Sequence, residues 1–140
     1  MAFPWYAYDY QCAETGDPPP SGSTSIDTWC HVTNASVFNF FGGGVEATKR
    51  KTILASAIGG VRWSNATGTP YIYYRAARGA WDAGVVHRLD YDNPASLRLK
   101  SAYAKQVGAR GVGMWTADLI DYSDAALVRE FWEAFRPFTK

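Results

Sequence analysis

Residues 91–115 read YDNPASLRLKSAYAKQVGARGVGMW, and their reading decides the fold. Asn93 is a good helix cap and Pro94 suits the first turn that follows it. From there to Val107 there is no further proline or glycine, and Gly108 supplies the stop. The spacing therefore predicts a helix over 92–108. Leu99, Ala102, Tyr103, Gln106 and Val107 recur on one mostly apolar face, the face expected to be buried. Three residues beyond the stop comes the short apolar run GVGMW (111–115). A helix, a tight connection and a short buried strand make half of a βαβ unit. The run ends on Trp115 and then turns acidic at Asp118 and Asp121. A strand that closes on its largest side chain places that side chain for use at an edge.

The segments around it extend the pattern. FPWYAYDY (3–10) alternates Tyr6, Tyr8 and Tyr10, the period of a strand. Residues 14–25 are almost all Pro, Gly, Ser, Thr and acids, so they form a loop. GGG at 42–44 is a break, and VEATKRKTILASAIGG (45–60) reads as a helix ending at Gly59-Gly60. PYIYYR (70–75) and VVHRLDY (85–91) suit an antiparallel pair. The tail SDAALVREFWEAFRPF is helical, with Ser123 or Asp124 as cap. Its stripe is Leu127, Val128, Phe131, Trp132 and Phe135. Two parallel strands can neither bury both faces of a sheet nor close a barrel. The apolar helices call for more sheet than these 140 residues supply, so the chain is expected to be part of a larger unit.

Composition narrows the function. The formal charge is +1, which points away from nucleic acid and anionic membrane surfaces. No apolar run approaches the roughly 20 residues of a membrane span, and residues 1–4 lack the basic start and apolar stretch of a signal peptide. Aromatics make up 16% of the chain. An aromatic excess without a basic one fits uncharged ligands such as sugars. Cys12 and Cys30 flank the Pro-rich loop and are expected to form a disulfide. Asn34-Ala35-Ser36 and Asn65-Ala66-Thr67 are N-glycosylation sequons. Together these indicate a secretory route whose leader lies upstream of Met1. His31 and His87 lack metal-ligand spacing and are expected on the surface or in loops, so no metal or cofactor is expected. The glycines at 42–44 lack the Lys-Ser/Thr of a phosphate loop.

FPWYAYDYQC (3–12) and residues 91–115 together resemble the chitobiase-like members of glycoside hydrolase family 18, the chitinase-like (β/α)8 barrels. The resemblance runs from about Phe3 to about Pro137. It implies an α/β chain forming the C-terminal portion of a TIM barrel. Residues 1–140 would be that partial barrel, with 2–8 as its seventh strand and 111–116 as its eighth. Residues 15–92 would be a small α+β insertion after strand seven. It also implies a complete enzyme acting on β-1,4-linked N-acetylglucosamine, in chitin oligosaccharides or the N-glycan core, in the lysosome or outside the cell. In that family the Trp matching Trp115 floors the sugar site. Active sites of parallel barrels lie at the carboxyl ends of strands, where Trp115 is expected. Tyr8, Asp9, Tyr10 and Asp118 are the further substrate-binding candidates. Asp9 could meet a sugar hydroxyl or the loop backbone.

The departures from the family are specific. Its signature DxxDxDxE on the fourth strand supplies the proton donor for a retaining mechanism in which the substrate's acetamido group attacks. That motif is absent. Asp118, Asp121 and Asp124 are spaced by three, which fits a loop and a helix cap rather than one face of a strand. No catalytic residue is therefore assigned, and the rest of the barrel is the expected partner. Chitobiases tend to carry an aromatic just before YDNP, where this chain has Asp90. The alternative reading is a non-catalytic fragment that binds carbohydrate or a partner.

Overall fold

The computed structural model describes residues 1–20 and 29–138. Two sheets share one core. The first is a parallel pair, β1 (Ala2–Pro4) beside β7 (Gly113–Trp115), with Ala2 opposite Gly113 and Pro4 opposite Trp115. The second has five antiparallel strands in the order β3-β2-β6-β5-β4. These are β2 (Ala7–Cys12), β3 (Val32–Phe38), β4 (Arg62–Ser64), β5 (Thr69–Arg75) and β6 (Val86–Asp90). Helix α1 (Val45–Ala55) follows β3, α2 (Pro94–Gln106) joins β6 to β7, and α3 (Ala125–Glu133) closes the chain.

The expected single strand over residues 2–8 is two strands in two sheets. The chain bends at Trp5 and Tyr6 because Trp5 turns into the core. It is 1% exposed and packs edge-on against Phe131 and Trp132, with Phe135 alongside. Its backbone N–H still donates to Trp115 O at 3.0 Å, extending the parallel ladder by one step. β2 then pairs antiparallel with β3 and β6 instead. The core runs continuously from Phe3 and Trp5 through Phe40, Phe41, Ile72, Leu89 and Leu97 to Phe131 and Phe135.

The helix over 92–108 forms as expected. Asn93 Oδ1 accepts from Ser96 N and Ser96 Oγ accepts from Asn93 N, a reciprocal capping box with both bonds at 2.9 Å. Its buried face is the reverse of the expected one. Ser96, Leu97, Ser101 and Ala104 pack inward, while Leu99 and Tyr103 are more than half exposed, as is Val107 just past the last turn. Small side chains allow the close approach, and the apolar periodicity marks a second face that the described residues leave uncovered. α1 ends at Ala55, short of Gly59-Gly60, and Asp124 rather than Ser123 caps α3. Phe131 and Phe135 of the α3 stripe are buried, Leu127 and Val128 are half-buried, and Trp132 is 42% exposed.

The hairpin expected at 70–75 and 85–91 is β5–β6, with Tyr71 opposite Asp90 and Arg75 opposite Val86. β3 and β4 were not expected. The disulfide between Cys12 and Cys30 is present, joining the end of β2 to the approach to β3. Residues 14–20 of the expected loop carry no helix or strand. Residues 21–25 lie outside the described residues. Among the described residues no helix is long and apolar enough to cross a membrane.

Candidate functional site

Alternation along β2 decides which side chains share a surface. Tyr8 and Tyr10 project to one face, Asp9 and Gln11 to the other. Tyr6 precedes them on the Tyr8 side. The three rings form a ladder. Tyr6 meets Tyr8 edge-to-face at 5.3 Å, and Tyr8 and Tyr10 stack at 6.0 Å with 12° between their planes. The hydroxyls of Tyr6 and Tyr8 are 3.1 Å apart. The ladder lines a cleft of about 420 Å³ that also takes in Pro4, Arg88, Asp90, Tyr91 and Asp92.

β6 and α2 supply the charge in this cleft. Arg88 forks onto Asp90 with bonds of 2.8 and 2.9 Å and lies 4.3 Å over the Tyr71 ring. Asp92, 4% exposed, accepts from Lys100 Nζ at 2.7 and 2.8 Å and from Ser96 Oγ at 2.6 Å. Each carboxylate thus has its own cation, and the cleft presents polar groups without net charge. Burial raises the Tyr10 phenol, reinforced by the charge of Asp90, and burial pushes Tyr91 up to about 12. Both phenols remain protonated donors at any physiological pH. Both cleft carboxylates are engaged in ion pairs, Asp90 with Arg88 and Asp92 with Lys100.

Trp115 ends β7 and is 66% exposed; its peptide to Thr116 is cis. It does not line the cleft itself. Its register partner Pro4 does. Asp118, on the 3₁₀ turn Ala117–Leu119 that follows, is exposed and accepts from the Thr116 hydroxyl. Asp121 is used elsewhere. Its backbone N–H donates to Phe41 O at 2.8 Å, and its carboxylate accepts from Ser123 N and Oγ. A Cβ on Gly43 would come within 2.8 Å of that carboxylate, so this break in the glycine run makes room for it.

Asp9 faces away from the tyrosines. Its two oxygens accept from Tyr74 Oη at 2.8 Å and meet His87 Nδ1 at 3.0 Å. Among the described residues it is not paired with the loop backbone, and it does not line the tyrosine cleft. His87 is a correction to the expected surface position. It is 5% exposed in the centre of β6, with Nε2 3.0 Å from Asp82 Oδ2, off the line of an ideal hydrogen bond. Burial opposes charge on this ring, but the hydrogen bond and charge of Asp9, joined by Asp82, raise its pKa. Its partners lie 78 residues back and in the preceding loop, so nothing local in the sequence signals the pairing. His31 is exposed and contacts Glu14. Cys12, Glu14 and Cys30 bring ligand-type atoms within 4.8 Å of one another, but both sulfurs are committed to the disulfide. Asn34 on β3 and Asn65 in the turn after β4 are both exposed.

Comparison with known proteins bears out the resemblance over nearly the whole chain. Over 98% of its length it is 35% identical to di-N-acetylchitobiase of Mus musculus, matching 36% of that protein. It is 33% identical to the Homo sapiens protein of the same name, over 98% of this chain and 34% of that one. The chain therefore spans about a third of the length of the curated relatives it matches. No family model matches. Among solved structures, a chitinase from Rhizomucor miehei superposes with a TM-score of 0.62 at 19% identity, over 99% of this chain and 38% of that one. The α/β fold described above is thus that of part of a chitinase.

Proposed function

We propose that this chain is the C-terminal part of a chitobiase-like family 18 glycoside hydrolase. In this reading β1 and β7 are the seventh and eighth strands of a (β/α)8 barrel. Residues 15–92, together with β2, form the insertion that walls the active site. The complete enzyme hydrolyses β-1,4 bonds between N-acetylglucosamine units by the substrate-assisted retaining route. The proton donor belongs to the remainder of the barrel, which is the partner of this portion. The observation that carries the reading is the parallel β1–β7 pair, in which Trp115 ends its strand opposite Pro4, a residue that lines the tyrosine cleft.

The chemistry of the cleft supports a neutral sugar. A pyranose offers axial C–H groups to an indole or phenol face, and its hydroxyls take bonds from protonated phenols and from paired ions. Trp115 is assigned as the floor, Tyr8 and Tyr10 as the side wall, and Asp118 as a rim contact. Asp90, paired with Arg88, replaces an aromatic surface with a hydrogen-bonding one, and we assign it to recognition of a hydroxyl or acetamido group. Asp9 is removed from the set of substrate contacts. Each edge of the two-stranded sheet that has no partner among the described residues is assigned to the rest of the barrel, as is the apolar face of α2 at Leu99 and Tyr103. The disulfide and the sequons at Asn34 and Asn65 favour a lysosomal or secreted protein.

The test is hydrolysis of a fluorogenic chitobioside by this chain alone and by this chain joined to an N-terminal barrel portion carrying DxxDxDxE. The expected outcome is turnover only in the joined protein, with Trp115→Ala lowering it. Robust turnover by the chain alone that disappears in Asp118→Asn would overturn the assignment of the donor.

A further inference from the structure

The back face of the five-stranded sheet carries a second polar cavity. Asn34, Gln11, His87 and Tyr74 lie in register across β3, β2, β6 and β5, so four polar side chains form one row. Ridges stand on either side of the row. One is α1, through Lys49 and Thr52. The other is the β5–β6 loop, residues 76–85, which carries Trp81 and Asp82. The enclosed volume is about 530 Å³, within the roughly 300–1,000 Å³ typical of small-ligand sites.

Trp81 is 83% exposed, the most exposed of the large aromatics. The loop that carries it is nevertheless anchored. The next residue, Asp82, is anchored to Gln11 Nε2 at 3.0 Å and to His87, and its carbonyl accepts from Val85 N at 2.9 Å. An indole presented to solvent from an anchored loop at the rim of a polar cavity gives no stability to the fold. It offers a flat face to a ligand. The charges decide which ligand. Asp9 and Asp82 are both engaged by the His87 ring, and by Tyr74 and Gln11 respectively, Lys49 stands on the other ridge, and Arg75 is taken by Asp17 at 2.5 Å. With both carboxylates engaged and one lysine at the rim, nothing in the cavity selects a phosphate or a free cation.

We infer that this cavity is a second saccharide-binding site. One sugar ring stacks on Trp81, and its hydroxyls reach Gln11 and Asn34 in the row. The site lies on the opposite face from Tyr8 and Tyr10 and does not depend on the reading of that cleft. Asn34, a sequon residue, lies in its wall. The same ring chemistry can therefore arrive as a free oligosaccharide or as the first residue of the chain's own glycan.

The test uses the full chain and N-acetylglucosamine with its β-1,4 trimer as probes, followed through the Trp81 indole N–H signal by NMR. Unglycosylated protein is expected to show a saturable shift at Trp81 that persists in Trp115→Ala. Trp81→Ala, an exposed position that the fold tolerates, is expected to weaken this binding about tenfold, the scale of one aromatic contact, read from the side-chain amide signals of Gln11 and Asn34. Protein glycosylated at Asn34 that no longer binds the probe, while showing Trp81 already shifted, identifies the source as the chain's own sugar and supports the same site. A silent Trp81 in the unglycosylated protein, or a Trp81 shift that vanishes in Trp115→Ala, overturns the inference.

Discussion

Breaking the Cys12–Cys30 bond should destabilise the chain by an amount that follows from its loop. The two cysteines are 18 residues apart. For a closed loop of that length the chain-entropy relation gives about 3 kcal/mol of destabilisation of the unfolded state. Residues 14–20 have no regular structure and are tied to the sheet by single contacts: Ala13 N donates to His31 O at 2.9 Å, Glu14 pairs with His31, Arg75 reaches Gly16 O and Asp17, and Arg62 donates to Pro19 O at 2.7 Å. Cys12 itself is buried against Tyr71, Tyr73 and Val86, so Cys12→Ala/Cys30→Ala also loses some packing. Against a total of about 5–15 kcal/mol, a loss near 3 is large. For a chain of this size it lowers Tm by about 10 °C. The assay is urea unfolding and calorimetry of the double variant beside the oxidised parent. The single variant Cys12→Ala should match the double one. A loss below about 1 kcal/mol would refute the argument and show that the Arg62 and Arg75 contacts hold the loop without the bridge.

Other outcomes follow from named contacts. Trp5→Ala, which removes a fully buried indole from between Phe131, Trp132 and Phe135, is expected to cost about 3–5 kcal/mol by chemical denaturation. His87 gives a pH dependence of known sign. Its folded pKa is raised, so its contribution is complete below about pH 6.5 and is lost as pH rises through the folded value. The urea midpoint should therefore fall between pH 5.5 and 8.5 in the parent, and His87→Gln should remove that part of the slope. With Leu99, Tyr103 and Trp132 in solvent, the isolated chain should bind a hydrophobic dye and associate in a concentration-dependent way. A sharp monomeric transition above about 55 °C without dye binding would contradict this.

Features coded within a few residues were legible in the sequence. The Asn93–Ser96 cap, the β5–β6 hairpin and the cap of α3 at Asp124 depend only on neighbours along the chain. Features that depend on distant partners were not. β3 is an edge strand, exposed from Val32 to Val37, with no clean alternation, and it exists because β2 offers it a partner. The break at Trp5 is invisible in an alternation that continues through Tyr6, Tyr8 and Tyr10. It is set by three aromatic rings near the far end of the chain. The face of α2 was misread because periodicity reports two surfaces, and only the packing selects Ser96, Ser101 and Ala104 as the inner one. In the candidate site, the shared face of Tyr8 and Tyr10 and the place of Trp115 at a strand's end were readable from the sequence. Asp9 could not be separated from them, because its partners Tyr74 and His87 come from other strands.

The most direct measurement of the central claim is NMR mapping of the whole chain titrated with N,N′-diacetylchitobiose. The account predicts saturable shifts of the Trp115 indole and of the Tyr8 and Tyr10 rings, with the Trp115 response and most of the Tyr8 response lost in Trp115→Ala. Silent Trp115, Tyr8 and Tyr10 signals at saturating sugar, whatever Trp81 does, would contradict it.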